Sequence, residues 1–333
     1  MEPRRKKPTI KDIAREAGVS ATTVINALAG RDAEMAAETA ERVRMKAREL
    51  GYVRNLTAAA LSGKGSRSFA LIITKAYQPV TEAHEADINP YYGEFILRLE
   101  HEARRAGFSF SLFGGDEDDY VNFVLERNLD AAVLLGIHKP DLPRSLVQRG
   151  VPVILVDSAV HDPQSASVKT DDRRGGELAA RHLLARGCRR IGFLGDIHQP
   201  PDAAPSLRRL GAYLTCLDAG LPFTELHRIA SFEEGRAAAA DVVAQGLDGV
   251  VAAADNLAAG LAGGLAARGV RIPDDVAVIG YDNLLIARLA TPPLTTIDQG
   301  MAEKVRIIVA MITNGQIGAI HHVHPTLVVR ASA

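Results

Sequence analysis

The sequence predicts a small all-α head built on a helix-turn-helix, followed by a larger α/β body of two lobes, each a doubly wound parallel sheet. Two short capped helical patterns meet at Gly18 near the N-terminus. From Ser68 onward, short apolar runs alternate with amphipathic helices, and the alternation is played through twice. A chain of 333 residues is long enough for both parts, and its 47% hydrophobic and 24% charged residues are those of ordinary folded domains.

In the head, Thr9 followed by Asp12 is a capping box. Ile10, Ile13, Ala14 and Ala17 then recur at helical spacing until Gly18 stops the turn. Ser20 is an N-cap for a second helix, Ala21 to Ala29, with Val24, Ala27 and Leu28 inward and Gly30 ending it. A third helix, about Ala37 to Leu50, carries Ala40, Val43, Ala47 and Leu50 on one stripe and ends at Gly51. Next come the mildly apolar stretch Asn55 to Leu61, too short to be a stable free helix, and the flexible run Ser62 to Ser66.

Two helices joined by a tight glycine turn form a motif whose second helix enters the DNA major groove N-terminus first. Its early exposed residues are Ala21, Thr22, Thr23 and Asn26: methyl groups for thymine methyls, and an amide for bidentate pairing with adenine. Charge agrees. Through Lys64 there are thirteen basic and eight acidic residues, a net of +5, against about −6 for the remainder of a chain whose formal charge is −1. A basic head on an acidic body suits a polyanionic partner for the head.

In the body, FALIIT, FSFSLF, AAVLLG and PVILVD read as buried parallel strands. Helices near Tyr92 to Arg105, Asp118 to Arg127 and Leu142 to Arg149 lie between them. RIGFLG, DGVVAAA and VAVIGYD repeat the pattern, with helices near Arg173 to Arg186, Ser206 to Ala219, Glu233 to Gln245 and Leu257 to Arg268. A further helix is expected at about Met301 to Asn314. Open parallel sheets bind ligands at strand C-termini, so a cleft between two such lobes is the natural site.

TIKDIAREAGVSATTV, then ETAERV, ARELGY and AAAL, resembles the DNA-binding head of the lactose-repressor/galactose-repressor (LacI/GalR) family. NPYYGEF, ARGCRRIGFLG, IPDDVAVIGYDN, TPPLTTIDQ and PTLVVRAS carry the resemblance through the body, and through it to the periplasmic sugar-binding proteins. The implied organisation is a head over residues 8–54, a hinge helix and linker over 55–67, and an effector-binding and dimerisation domain over 68–333. Lobe one would take about 68–158 and 296–320, lobe two about 159–295 and 321–330, with three crossovers between them. Leu61 would be the hinge leucine that wedges into the minor groove and kinks the duplex. Thr9, Ser20, Thr39, Tyr52 and Asn55 complete the candidate DNA-contacting set.

For the effector, the resemblance implies Tyr91, Tyr92, Asp157, Arg209, Phe232, Asp282 and Gln299, all facing the cleft. Carboxylates, an arginine and aromatic faces are what a polyhydroxylated ligand, a sugar, needs. Each has a plainer alternative: the aspartates as turn caps, Arg209 paired with a surface carboxylate, Phe232 in the core. Departures from the family pattern are Ile25 for a frequent serine, an extra residue between Gly30 and Thr39, Arg54 for a proline, Ala59 for a polar hinge residue, and Ala254 for an asparagine. PPDAAPS supplies no second arginine before Arg209.

The implied function is a transcriptional regulator, a repressor, that binds a near-palindromic operator as a homodimer in the cytoplasm under control of a sugar. A sugar-binding module without regulatory DNA binding is the alternative, disfavoured by the helix-turn-helix and by a start that lacks an export signal. An enzyme is not expected, since no nucleophile-base constellation is readable. No cofactor is expected. His321, His322 and His324 have no carboxylate or cysteine cluster near them in sequence, so no metal is expected there. Cys188 and Cys216 read as buried thiols, GLAGGLAARG as helix rather than a dinucleotide loop, and no apolar run is long enough to span a bilayer.

Overall fold

A computed structural model describes residues 8–28, 35–52, 66–74, 90–115, 119–137, 141–315 and 318–333. It divides into two compact units, Met1–Lys64 and Gly65–Ala333. The division falls inside the expected linker, where Asn55 and Leu61 lie outside the described residues.

The first unit contains α1 (Ile10–Ala17), α2 (Ala21–Leu28) and α3 (Ala37–Glu49). The capping box is made in both directions: the Thr9 main-chain N–H donates to Asp12 Oδ2 at 2.9 Å, and the Asp12 N–H donates to Thr9 Oγ1 at 3.4 Å. Gly18 ends α1 in the left-handed region, φ 66°, where a side chain is disfavoured. Ile13, Ala17, Val24, Ala27, Ala40, Val43 and Ala47 form the core shared by the three helices. Arginines of α3 supply donors that the ends of the other two helices lack: Arg42 Nε donates to Ala17 O and Arg44 Nη2 to Ala27 O, each at 3.2 Å. Leu50 departs from expectation. It is 37% exposed because α3 ends one residue before it; the Tyr52 N–H then closes on Ala47 O at 2.9 Å, and Tyr52 packs against the core in its place.

The second unit holds two six-stranded sheets. Sheet one comprises β1 (Ser68–Thr74), β2 (Ser109–Gly115), β3 (Ala132–Leu135), β4 (Val153–Val156), β5 (Ala166–Thr170) and β11 (Ile320–Val323). Sheet two comprises β6 (Ile191–Gly195), β7 (Phe223–His227), β8 (Gly249–Ala252), β9 (Ala277–Tyr281), β10 (Thr295–Asp298) and β12 (Thr326–Val328). Their orders are β11-β5-β4-β3-β1-β2 and β12-β10-β9-β8-β6-β7; all neighbours are parallel except β12, antiparallel to β10. The helices are α4 (Pro90–Arg105), α5 (Tyr120–Glu126), α6 (Asp141–Val147), α7 (Asp172–Ala185), α8 (Ala204–Asp218), α9 (Phe232–Ala244), α10 (Asp255–Ala266), α11 (Leu285–Leu289) and α12 (Met301–Asn314). GLAGGLAARG falls in α10 and the turn after it.

The chain crosses between lobes after β5, after β10 and after β11. Three crossovers were expected, but the lobe boundaries move. Residues 159–170 reach lobe one because β5 pairs with β4; β10 keeps 295–298 in lobe two by pairing with β9; and 320–323 join lobe one through β11 on β5. The strands that pattern reading did not single out are these crossover and edge strands, β5, β7, β10, β11 and β12, together with the five-residue α11. Serine, lysine, threonine and histidine interrupt their apolar runs, so period and run length carry little signal.

Helix packing fixes one feature of the cleft. A Cβ on Gly176 of α7 would lie 1.9 Å from Arg208 O, and one on Gly211 of α8 would lie 1.9 Å from Arg173 O, so the two helices touch backbone to backbone. That approach presses the N-terminal half of α8, with Arg208, against Asp172 at the start of α7.

Candidate nucleic-acid interface and ligand cleft

On the head, α2 buries Val24 and Ala27 and leaves Ala21, Thr22 and Ile25 exposed, with Thr23 and Asn26 half-buried. The Ser20 Oγ accepts from the Thr23 N–H at 3.1 Å and shares a 2.8 Å hydrogen bond with the Thr23 hydroxyl, so these two side chains cap the helix as well as facing outward. Thr9 is exposed at the start of α1, and Thr39 is half-buried in the first turn of α3. Small and hydroxyl side chains at a helix start are suited to phosphate and base edges.

In the body, a cavity of about 100 Å³ lies between the two lobes. Tyr91, Tyr92, Leu135, Gly136 and Asp157 line it from lobe one; Asp196, Arg208, Ala253, Ala254 and Asp282 line it from lobe two, and Gln299 stands at a crossover. The polar walls follow strand C-termini, as doubly wound sheets require: Asp157 follows β4, Asp196 β6, Asp282 β9 and Gln299 β10. Asp157 (φ 45°), Asp282 (φ 112°) and Asn283 (φ 57°) sit at positive φ without being glycine. Such conformations cost about 1–3 kcal/mol each and persist where the surroundings over-determine them, typically at functional sites.

Five of the seven expected effector residues therefore line the cavity, and two do not. Arg209 turns away on α8 and pairs with Glu225 of β7 at 2.6 Å, while its neighbour Arg208 takes the inward position. One residue along a helix is a rotation of about 100°, so Arg208 faces the cavity and Arg209, the expected residue, faces away from it. Phe232, at the first turn of α9, is 36% exposed and outside the lining; Ala230 just before it lines the cavity instead.

The electrostatics are those of a buried network. Arg208 Nε donates to Asp172 Oδ1 and Nη1 to Ala253 O, both at 2.7 Å, and the guanidinium lies 3.7 Å from the Tyr281 ring centroid. On the other side, Tyr91 OH donates to Asp157 Oδ2 at 2.7 Å, and Lys304 Nζ donates to Asp157 Oδ1 and Oδ2 at 2.8 and 2.6 Å. Gln299 Nε2 donates to Asp282 Oδ1 at 2.6 Å. Burial pushes Asp157 up, but the Lys304 charge and the hydrogen bonds from Lys304 and Tyr91 outweigh it and hold the carboxyl below its usual range. Burial dominates at Asp282, pushed up to about 7 against the pull of Arg208, and at Asp172, which is raised despite the same arginine.

Residues that sequence reasoning missed include Arg208, Asp172, Lys304 and Asp255. Asp255 is fully buried, accepts from Thr296 Oγ1 at 2.6 Å and the Leu284 N–H at 2.8 Å, and so shapes the turn that carries Asp282. The signal at hand was a charged residue on an apolar helical stripe, such as Lys304 on the stripe of Met301, Val305 and Ile308.

Comparison with known proteins follows the same two parts. Residues 9–55 match the bacterial regulatory proteins of the lacI family, and residues 180–333 match the periplasmic binding protein-like domain. The HTH-type transcriptional regulator CelR of Thermobifida fusca is 30% identical over 327 residues, covering 93% of each chain. The chain belongs to the lacI family of bacterial regulatory proteins. It is accordingly a DNA-binding transcriptional regulator rather than an enzyme. A structure of a transcriptional regulator CelR-cellobiose complex aligns with this lacI-family chain at TM-score 0.68 and 27% identity, over 98% of this chain and 100% of that one. The lac repressor dimer bound to operator and the anti-inducer ONPF aligns at TM-score 0.79 and 22% identity over 98% and 99%, a likeness of fold. Among the described residues no helix is long and apolar enough to cross a membrane, and no group of three His, Cys, Asp or Glu side chains could hold a metal ion.

Proposed function

We propose that this regulator is a cytoplasmic repressor that binds a near-palindromic operator as a homodimer and is controlled by a sugar in the interlobe cleft. The observation that carries the ligand reading is the cavity wall itself. Tyr91 and Tyr92, with ring centroids 5.9 Å apart, face the Arg208 and Asp282 pair across the gap, so flat apolar surface opposes directional donors and acceptors. The cellobiose named for the aligned CelR structure supports a saccharide. Ligand sites of drug-like size start near about 300 Å³; at about 100 Å³ the cavity must widen to admit a disaccharide, which couples occupancy to the angle between lobes.

Ala21, Thr22, Thr23 and Asn26 are the proposed base-edge contacts, with Thr9, Ser20, Thr39 and Tyr52 at the backbone. Asn55 and Leu61 belong to the proposed hinge on the strength of the sequence. Ligand and operator affect each other's affinity by the same factor. Fluorescence anisotropy of the full-length protein on DNA from upstream of its own gene, against excess unrelated duplex, tests the reading, with cellobiose, ribose and glucose titrated in. Binding that survives the competitor and changes with one of the sugars is expected. Binding that is lost to competitor at every site from unbiased selection, with and without sugars, would overturn it.

A further inference from the structure

We propose that Lys304 is a positioning residue that latches the two lobes through Gln299 and so fixes the arrangement in which the cleft meets its ligand. The inference rests on the cleft being the ligand site. Lys304 lies on α12 in lobe one, is 0% exposed and does not line the cavity. A lysine ammonium has three N–H donors. All three are spent inside the protein: on Asp157 Oδ1 at 2.8 Å, Asp157 Oδ2 at 2.6 Å and Gln299 Oε1 at 2.5 Å. It has no donor left for a ligand.

Its work is on Gln299. Because Lys304 demands an acceptor, the amide oxygen of Gln299 faces lobe one, and the amide N–H₂ must face the other way, where it donates to Asp282 at 2.6 Å. Thr170, at the end of β5, takes a second hold by donating from Oγ1 to Gln299 O at 3.0 Å. Lobe one thus grips the crossover residue at two points, and the crossover residue grips the lobe-two carboxylate that lines the cavity and lies 3.8 Å from Arg208. A ligand hydroxyl that takes Asp282 Oδ1 competes with the Gln299 amide for that oxygen. Occupancy of the cleft therefore registers at Lys304 without contact to it. A buried ion pair is weak evidence for stability, since apolar residues of similar volume do as well or better, and the neighbours Val305 and Ile308 pack in that way. The cation is explained by the orientation it imposes.

The test is amide hydrogen exchange on the full-length, ligand-free protein, comparing the wild type with Lys304→Met/Asp157→Leu and with Gln299→Leu. The double variant removes both charges together, so no carboxylate is stranded; Gln299→Leu keeps the ion pair and removes the latch. In both, exchange at Asp282 and Gly300 is expected to rise by about tenfold or more while amides in the centres of β3 and β8 stay as they are. Unchanged exchange at Asp282 and Gly300 in Gln299→Leu overturns the latch, and that variant alone decides if the double variant does not fold. Failure of the wild type to bind any operator would instead strike the regulator reading and leave the exchange result standing.

Discussion

Arg208→Met and Arg209→Met alter two arginines one residue apart on α8, and the structure assigns them opposite consequences. Arg208 is 8% exposed, and its guanidinium is the counter-ion of Asp172, itself 4% exposed. Methionine keeps the stem but strands that carboxylate, and breaking a buried pair from one side costs about 3–5 kcal/mol. Arg209 keeps about a third of its side chain exposed, and its surface pair with Glu225 is worth about 0–1 kcal/mol. Urea unfolding of the full-length protein should separate them on that scale. The pH dependence has a definite sign. Burial already holds Asp172 above its ordinary value in the folded protein with Arg208 opposing it, so removal of the arginine raises it further. The unfolded carboxyl releases its proton near about pH 4 while the folded one keeps it; stability is lost as pH rises through that window, and the Arg208→Met deficit is larger at about pH 8 than at about pH 5. Arg208→Met/Asp172→Leu should recover most of the loss. A single-variant deficit under about 1 kcal/mol, or one no larger than that of Arg209→Met, would refute the assignment of Arg208 as the buried, cleft-facing arginine.

Asp282→Asn removes a carboxyl that burial pushes up to about 7. Wild-type stability should fall between about pH 4 and that value as the unfolded chain gives up its proton first, and the urea midpoints of the Asn variant should vary less with pH over the same window. Gly176→Ala sets a methyl 1.9 Å from Arg208 O, forcing α7 and α8 apart; a loss of about 1–3 kcal/mol or more is expected in thermal melts, with weakened sugar binding because Arg208 moves. Thr9→Ala removes the side-chain half of the capping box on α1, the Asp12 N–H to Thr9 Oγ1 bond, and leaves the main-chain half; it should cost about 0.5–2 kcal/mol in the head, read by circular dichroism, together with operator affinity in the anisotropy assay.

The head was legible nearly residue by residue, because caps, glycine stops and a 3.6-residue stripe are local signals: Thr9 with Asp12, Gly18 and Val24 with Ala27 fall where their spacing put them. The central strands were legible for a related reason. FALIIT, PVILVD and RIGFLG are covered on both faces and read as unbroken apolar runs. Edge and crossover strands were not legible, since a mostly exposed strand such as Ile320–Val323 carries histidines that no local period marks as strand.

Hydrophobic order along the chain thus dictated a helical head and two parallel α/β lobes, and with them the strand ends where a ligand must lie. Only the folded protein decided which arginine enters the cleft, because Arg208 and Arg209 are chemically identical and differ by a rotation that the α7–α8 contact sets. It alone joined Lys304 to Asp157 across 147 residues of chain. The physical reason is common to both cases: a buried charge needs a partner, and the partner is supplied by whichever element tertiary packing brings within hydrogen-bond reach.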